Sequence, residues 1–202
     1  QGQCGSCWTF SATGAIEGSE FVAGNDLPIL SEQQFVDCAH FPNMGCNGGV
    51  MGLALGYAKR HQVEAEVDYP YEAVNGKCRF KKSKTVTNIK KKKCAKKSFK
   101  GLKTNLKKYG PTSISVAASE TYFHGYTGGI LTDPKECGLQ LDHGVLAVGW
   151  GNDSEAGDYF IVKNSWTTGW GEAGYVRLGA QGKHGVCGFV KQHPHNVISK
   201  KN

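Results

Sequence analysis

The chain has 202 residues, with 24 Lys and Arg against 17 Asp and Glu, 28 Gly and 8 Cys. At about 100–200 residues per domain that is one or two domains, and 39% hydrophobic residues is too many for a wholly disordered chain. No apolar run approaches the roughly 18 residues of a membrane-spanning helix, and the longest, Val145 to Trp150, is strand-length.

Eight cysteines are dense for a reducing cytosol. Gln1-Gly2-Gln3-Cys4 has neither the charged n-region nor the apolar h-region of a secretory leader. The expectation is a mature secreted or lysosomal chain whose targeting segment has been cut away or lies outside this sequence. Glycine, at about 14% of residues, is twice its usual roughly 7%, so tight turns and close backbone approaches are expected. The charge is local. Between Ala73 and Ser119 there are 14 Lys and one Arg with no Asp or Glu, which leaves 9 basic residues against all 17 acidic ones elsewhere. The pattern is an acidic body with a basic insert.

The elements follow in chain order. Cys7 to about Ala23 places Trp8, Phe10, Ala12, Ala15, Ile16 and Phe21 on one helical stripe. Ser31-Glu32-Gln33-Gln34 is a capping-box pattern opening a short helix through Val36 and Asp37. Gly49 to His61 spaces Val50, Leu53, Ala54, Tyr57 and Ala58 as one buried face. Ser98 to Tyr109 reads as a helix with Ser98 as N-cap and Gly110-Pro111 as its stop. After Pro111 the period changes to short β-branched or aromatic runs: Thr112 to Ala118, Gly144 to Trp150, Tyr159 to Val162 and Gly174 to Leu178. Helices first and strands later predict an α+β fold of two packed subdomains with a cleft between, divided in the lysine-rich stretch near residue 90.

The chemistry starts at Cys4-Gly5-Ser6-Cys7-Trp8. A cysteine in the first turn of a helix sits where the macrodipole and unpaired N–H groups favour a thiolate. Such a nucleophile needs a base, an orienter for that base, and donors for an oxyanion. Of seven histidines, His143 stands in Leu141-Asp142-His143-Gly144-Val145, at the mouth of a buried strand. Asn164 stands in Val162-Lys163-Asn164-Ser165-Trp166, at the end of another, where an amide can hold an imidazole while Trp166 and Trp170 cover it from water. Each piece alone has a plainer reading: Cys-x-x-Cys as a redox or metal motif, a lone histidine as structural, an aromatic pair as core.

Together these segments resemble the papain family of cysteine proteases. Gln1-Gly2-Gln3-Cys4-Gly5-Ser6-Cys7-Trp8 is similar to the nucleophile segment and Cys46-Asn47-Gly48-Gly49 to the substrate-binding strand. Asp142-His143-Gly144 is similar to the histidine segment. Asn164-Ser165-Trp166 with Trp170-Gly171-Glu172-Ala173-Gly174-Tyr175 is similar to the asparagine segment. His143 lies 136 residues and Asn164 157 residues after Cys7, against about 130–150 for this signature. The likeness runs from Gln1 to about Pro194.

The resemblance implies a papain-like fold: a helical subdomain over 1–90 plus the tail 188–202, and an antiparallel β subdomain over 91–187. It implies a cathepsin L-like endopeptidase with Cys7 as nucleophile, His143 as its thiolate–imidazolium partner, Asn164 as orienter, and the Gln1 amide with the Cys7 N–H as oxyanion hole. No cofactor and no metal enter; zinc would need the bridge cysteines as thiolates. Implied bridges are Cys4–Cys46, Cys38–Cys78 and Cys137–Cys187, with Cys7 outside them. Cys94 is then extra, either an inert thiol or an intermolecular or regulatory one. Gly48, Gly49, Asp142 and Trp166 are implied to border the substrate. Met51, Ser115, Leu141, Gly144 and Gln192 match the pocket for the second residue before the cut, predicting Leu, Val or Phe there with some tolerance of Arg.

Family members carry further mature chain before the glutamine, so the sequence is expected to be a fragment. The resemblance also implies protein and peptide substrates, an inhibitory propeptide, cystatin-type inhibitors, a monomer, and a lysosome- or vacuole-like or secreted location. The lysines from Lys90 to Lys97 read either as a solvated face or as a contact for polyanions. Nucleic acid is not expected, because Phe80 and Phe99 do not interleave with the lysines. Asn152-Asp153-Ser154 is a glycosylation sequon expected between two strands. The competing functions are an inactive binding homologue and a transpeptidase.

Overall fold

Two buried helices organise the N-terminal residues in the computed structural model, which describes residues 1–201. Helix α1 (Cys7–Val22) turns Trp8, Ala12, Ala15 and Ile16 inward, and α3 (Met51–His61) turns Ala54, Leu55, Tyr57 and Ala58 inward. Between them in sequence, α2 (Glu32–Cys38) buries Phe35 and Val36. With Leu30, Val63, Ile89 and Val197 these side chains form one core. Three stripe positions do not follow the expected pattern. Phe21 is 62% exposed, and Leu53 and Val50 lie at the surface while Leu55 takes the buried place. Periodicity locates a helix face to within about one residue's rotation, and the edges of each stripe fell on the wet side.

The capping box at Ser31 is half made. Ser31 Oγ accepts from Gln34 N at 2.9 Å, but the Gln34 side chain turns away: its Oε1 accepts from Glu64 N at 2.8 Å. The amide thereby ties α2 to the segment after α3 instead of closing its own cap.

The chain divides into two units, one of Gln1–Lys93 with the C-terminal segment from His195, the other Cys94–Pro194. In the first, β1 (Ile89–Cys94) lies beside β7 (His195–Ser199). Ser19 of α1 holds β7, donating to Val197 O and accepting from Ser199 N, both at 3.1 Å. Strand β1 was not legible in the sequence: Ile89 is buried and Lys90 to Lys93 are all exposed, so it has no apolar alternation. A lysine-covered strand at a sheet edge resists pairing with other chains.

The second unit holds α4 (Phe99–Tyr109), β2 (Thr112–Val116), the short α5 (Thr121–His124), β3 (Ile130–Leu131), α6 (Pro134–Cys137), β4 (His143–Asp153), β5 (Gly157–Lys163) and β6 (Tyr175–Gly179). Ser98 caps α4 by accepting from Gly101 N at 3.0 Å, and Gly110 ends it at φ +82°. The strands run in the order β2-β4-β5-β6-β3, antiparallel except for the β6–β3 pair. Leu102, Ile114, Val116, Phe123, Val145, Phe160, Val162, Val176 and Phe189 fill its core. Asn152 does not lie between strands as expected but within β4, opposite Asp158, because the hairpin extends to Asp153 and Gly157.

Disulfides join Cys4–Cys46 and Cys38–Cys78 in the first unit and Cys137–Cys187 in the second. They close loops of 40 to 50 residues, which chain entropy values at about 4 kcal/mol each.

Candidate active site

The cysteine segment is held from several sides. Cys7 is the first residue of α1, at the end where N–H groups lack helical partners. The Cys4–Cys46 bridge pins the preceding turn to the segment Cys46-Asn47-Gly48-Gly49. That segment is not the expected strand but the end of a 3₁₀ turn (Gly45–Asn47) followed by irregular backbone, since Gly48 at φ +109° leaves the extended region. Gly5 N donates to Cys46 O at 2.8 Å, and a Cβ on Gly5 would stand 2.5 Å from that oxygen. Trp8, fully buried, donates from Nε1 to Gly45 O at 3.1 Å, while a Cβ on Gly49 would meet the Trp8 ring at 2.5 Å. The two glycines are thus required by close approach and not by turn geometry. Gly48, with φ +109°, lies open just after that turn, and Met51 starts α3 buried.

Gln1 is anchored by a network that the sequence did not disclose. Tyr71 Oη donates to Gln1 O at 2.7 Å and is itself 2.5 Å from Ser6 Oγ. The Gln1 side-chain amide donates to Cys4 O at 3.0 Å. Tyr71 lies 70 residues downstream in a stretch with no catalytic motif, so no local signal marks it.

In the second unit, antiparallel pairing brings the imidazole and the amide together. His143 begins β4 and Asn164 follows β5; Leu146 of β4 sits opposite Lys163, so the mouth of one strand adjoins the end of the other. His143 Nε2 lies 2.7 Å from Asn164 Oδ1, which also accepts from Ser165 N at 2.8 Å. An oxygen fixed by a backbone N–H can only accept, so Nε2 carries the proton and Nδ1 is the nitrogen available for exchange. His143 is 7% exposed, and burial lowers its pKa, with the Asn164 bond and the Asp142 charge acting the other way. Trp166 lies 4.8 Å from the His143 ring, ring to ring, and Trp170 5.5 Å from Trp166. Phe123 closes edge-on to Trp166 at 5.6 Å, and His124 lies 4.4 Å from it. Neither Phe123 nor His124 belongs to one of the four motif segments that carry the resemblance.

The asparagine segment is braced in turn. Asn164 N donates to Gly174 O at 2.9 Å. Arg177 grips Glu172 with two nitrogens, at 2.9 Å from Nε and 2.6 Å from Nη2, and Glu172 also accepts from Gly129 N. This fork holds the Glu172 carboxyl below its ordinary range. Asp142 accepts from Ala118 N at 2.8 Å and from the Ser119 hydroxyl, bracing the turn into β4.

Of the residues expected to form the pocket for the second residue before the cut, Ser115 is opposite Gly144 in the β2–β4 register, and its hydroxyl donates to Gln192 Oε1 at 3.2 Å. Leu141 is partly buried; a Cβ on Gly188 would meet its Cδ2 at 3.0 Å. Asn152 Nδ2 donates to Asp158 Oδ1 at 2.8 Å. Among the described residues no group of three or more His, Cys, Asp or Glu is placed to hold a metal ion.

The family model described as papain family cysteine protease matches residues 1–197. A digestive cysteine proteinase of Homarus americanus is 46% identical over 200 residues, covering 94% of this chain and 60% of its own length. A cathepsin L-like peptidase of Aedes aegypti is 44% identical over 193 residues, again 94% of this chain and 57% of its own. The chain thus spans about three-fifths of the length of these curated relatives. Among solved structures, a cysteine protease of Carica candamarcensis in complex with E-64 matches with TM-score 0.86 and 37% identity, over 99% of this chain and 91% of that one. A digestive procathepsin L 3 of Tenebrio molitor larval midgut matches with TM-score 0.90 and 37% identity, over 98% of this chain and 64% of that one.

Proposed function

Because the chain belongs to the papain family of cysteine proteases, we propose that it is a cathepsin L-like cysteine endopeptidase. The observation that carries this reading is the 2.7 Å His143–Asn164 bond; that a cysteine opens the first turn of α1 supports it. In the proposed reaction the Cys7 thiolate attacks the peptide carbonyl carbon, and the resulting oxyanion takes hydrogen bonds from the Cys7 N–H and a Gln1 amide N–H. The imidazolium of His143 gives its proton to the departing amine as the C–N bond breaks, leaving a thioester on Cys7. The neutral imidazole then takes a proton from water, the hydroxyl adds to the thioester, and the acid leaves with the thiolate restored. Burial disfavours a charged His143, so the imidazolium needs a counter-charge, which the thiolate supplies. Asn164 keeps the proton on Nε2 and Nδ1 directed to the exchange.

Gly48, Gly49, Asp142 and Trp166 are proposed to border the peptide. Met51, Ser115, Leu141, Gly144 and Gln192 are proposed to select Leu, Val or Phe at the second residue before the cut, with some Arg. The Ser115–Gln192 bond supports the last of these, since it presents a polar end to a larger side chain. An inhibitory propeptide and cystatin-type inhibitors are the proposed partners, a lysosome- or vacuole-like or secreted compartment the proposed location, and Lys90 to Lys97 a proposed polyanion contact. The deciding experiment is labelling by an epoxysuccinyl inhibitor with hydrolysis of a fluorogenic dipeptide. Covalent labelling at Cys7 that abolishes hydrolysis is expected; a labelled Cys7 with no hydrolysis by the unlabelled protein overturns the reading.

A further inference from the structure

Helix α3 carries Gly52 and Gly56 one turn apart, on the face that also bears Leu53 and Arg60. Without side chains at those two positions the face is a trough, the floor of a cavity of about 450 Å³ within the N-terminal unit. Phe41 and Phe80 wall it, and both Phe41, 92% exposed, and Leu53, 40% exposed, offer apolar surface to solvent. The guanidinium of Arg60 and the ammonium of Lys92 line it, the latter held by a 3.1 Å bond to Gly52 O. No Asp or Glu lines the cavity, and neither cation makes a salt bridge among the described residues. None of Gln1, Cys7, Gly48, Gly49 or Met51 borders it.

A cavity with two cations, no counter-charge and exposed apolar surface at Phe41 and Leu53 fits an anion carried on an apolar body. We propose that the trough is an exosite for an acidic peptide segment bearing a large apolar side chain. A carboxylate of that segment is matched by the planar fork of Arg60 and the point charge of Lys92. Its aromatic or aliphatic side chain covers Phe41, Leu53 and Phe80. The exposed Lys90, Lys91 and Lys93 on the same strand as Lys92 add a positive field that draws such a segment in. A sulfated saccharide would satisfy the charges but leave the apolar walls wet, which is why the peptide is favoured.

Gly56 supplies a sharp test. A Cβ there would meet only the Arg60 Nη1, at 3.8 Å, so a larger side chain has room, and in a helix interior replacing glycine generally favours the helix. Gly56→Leu therefore fills the trough without disturbing the core. The probe is a fluorescein-labelled Glu-Asp-Phe-Glu-Phe peptide, titrated by anisotropy into protein whose thiols are blocked with iodoacetamide; a Gln-Asn-Phe-Gln-Phe peptide is the control. Saturable binding is expected, weakened at least about tenfold by the neutral peptide, by Arg60→Gln and by Gly56→Leu. Both variants should keep the parent's thermal midpoint within a few degrees and its rate on a small dipeptide substrate. Equal binding of the neutral peptide, unchanged binding by both variants, or binding of a sulfated disaccharide in place of the peptide overturns the proposal. Because binding is read on thiol-blocked protein, a failure of the peptidase reading leaves this result standing.

Discussion

Asn164 Oδ1 accepts from both His143 Nε2 and Ser165 N, and this double acceptance decides which imidazole nitrogen holds the proton. A lone amide could rotate to present its NH₂ and impose the opposite tautomer; the backbone N–H of Ser165 removes that choice. Asn164→Ala should therefore lower kcat/KM on a fluorogenic dipeptide by about 10–100-fold, part of what a positioned acid–base supplies. The Asn164 bond raises the His143 pKa against the effect of burial. Without it the imidazolium is lost sooner as pH rises, so the alkaline limb of the rate profile should move to lower pH. A rate loss with an unmoved alkaline limb would count against this positioning role.

The glycines around the cysteine segment make a steric prediction. Gly5→Ala places a methyl 2.5 Å from the backbone oxygen of Cys46, and Gly49→Ala places one 2.5 Å from the Trp8 ring. Backbone and a fully buried indole cannot give way cheaply, so each variant should lose about 1–3 kcal/mol in thermal or denaturant unfolding. Gly48→Ala, whose Cβ meets nothing within 4 Å, faces only the penalty of φ +109°. With the segment at Gly48 bordering the peptide as proposed, its activity should suffer more than its folding.

Motif spacing and hydrophobic period made much of this legible beforehand. Helices α1 to α4 and strands β2, β4, β5 and β6 each carry a period or a cap, and the cysteine, histidine and asparagine segments carry their own residues. What stayed hidden was set by tertiary partners. Strand β1 carries four lysines in a row and is extended because it adjoins β7, not because of its composition. Tyr71 reaches Gln1 across 70 residues, and Phe123 and His124 reach Trp166 across more than 40. Such pairings leave no trace in any local window. Leu53 shows the same limit at the scale of one side chain: its spacing assigned it to the core, and the neighbouring glycines leave it at the wall of a trough.

Cysteine chemistry provides a count. Six cysteines form the three bridges, and Cys7 and Cys94 stand outside them, Cys94 exposed. Titration of denatured, unreduced protein with a thiol reagent should give two equivalents, and four or more would contradict the bridge pattern. In native protein Cys94→Ser should leave one reactive thiol and an unchanged rate on a dipeptide substrate. A lowered rate would give Cys94 a part in the reaction that its place on β1 does not suggest.

Glu32, the first residue of α2, provides a pH test of stability. Burial pushes its pKa up to about 7; the Thr13 hydroxyl, donating at 2.7 Å, opposes the shift, and the nearby Glu17 and Glu66 carboxylates add to it. A carboxyl whose folded pKa exceeds its unfolded value binds its proton more tightly in the native state. Its contribution is therefore fully present below about pH 4.5 and is lost as pH rises towards 7. The shift corresponds to at most about 3 kcal/mol, and the part of the side chain that reaches solvent reduces it. Glu32→Gln keeps the shape and an acceptor for Thr13 while removing the charge. Unfolding free energy should then rise by about 1–3 kcal/mol at pH 8 relative to the parent and change little at pH 4. Equal effects at the two pH values would mean that the glutamine acts through packing and not through the proton.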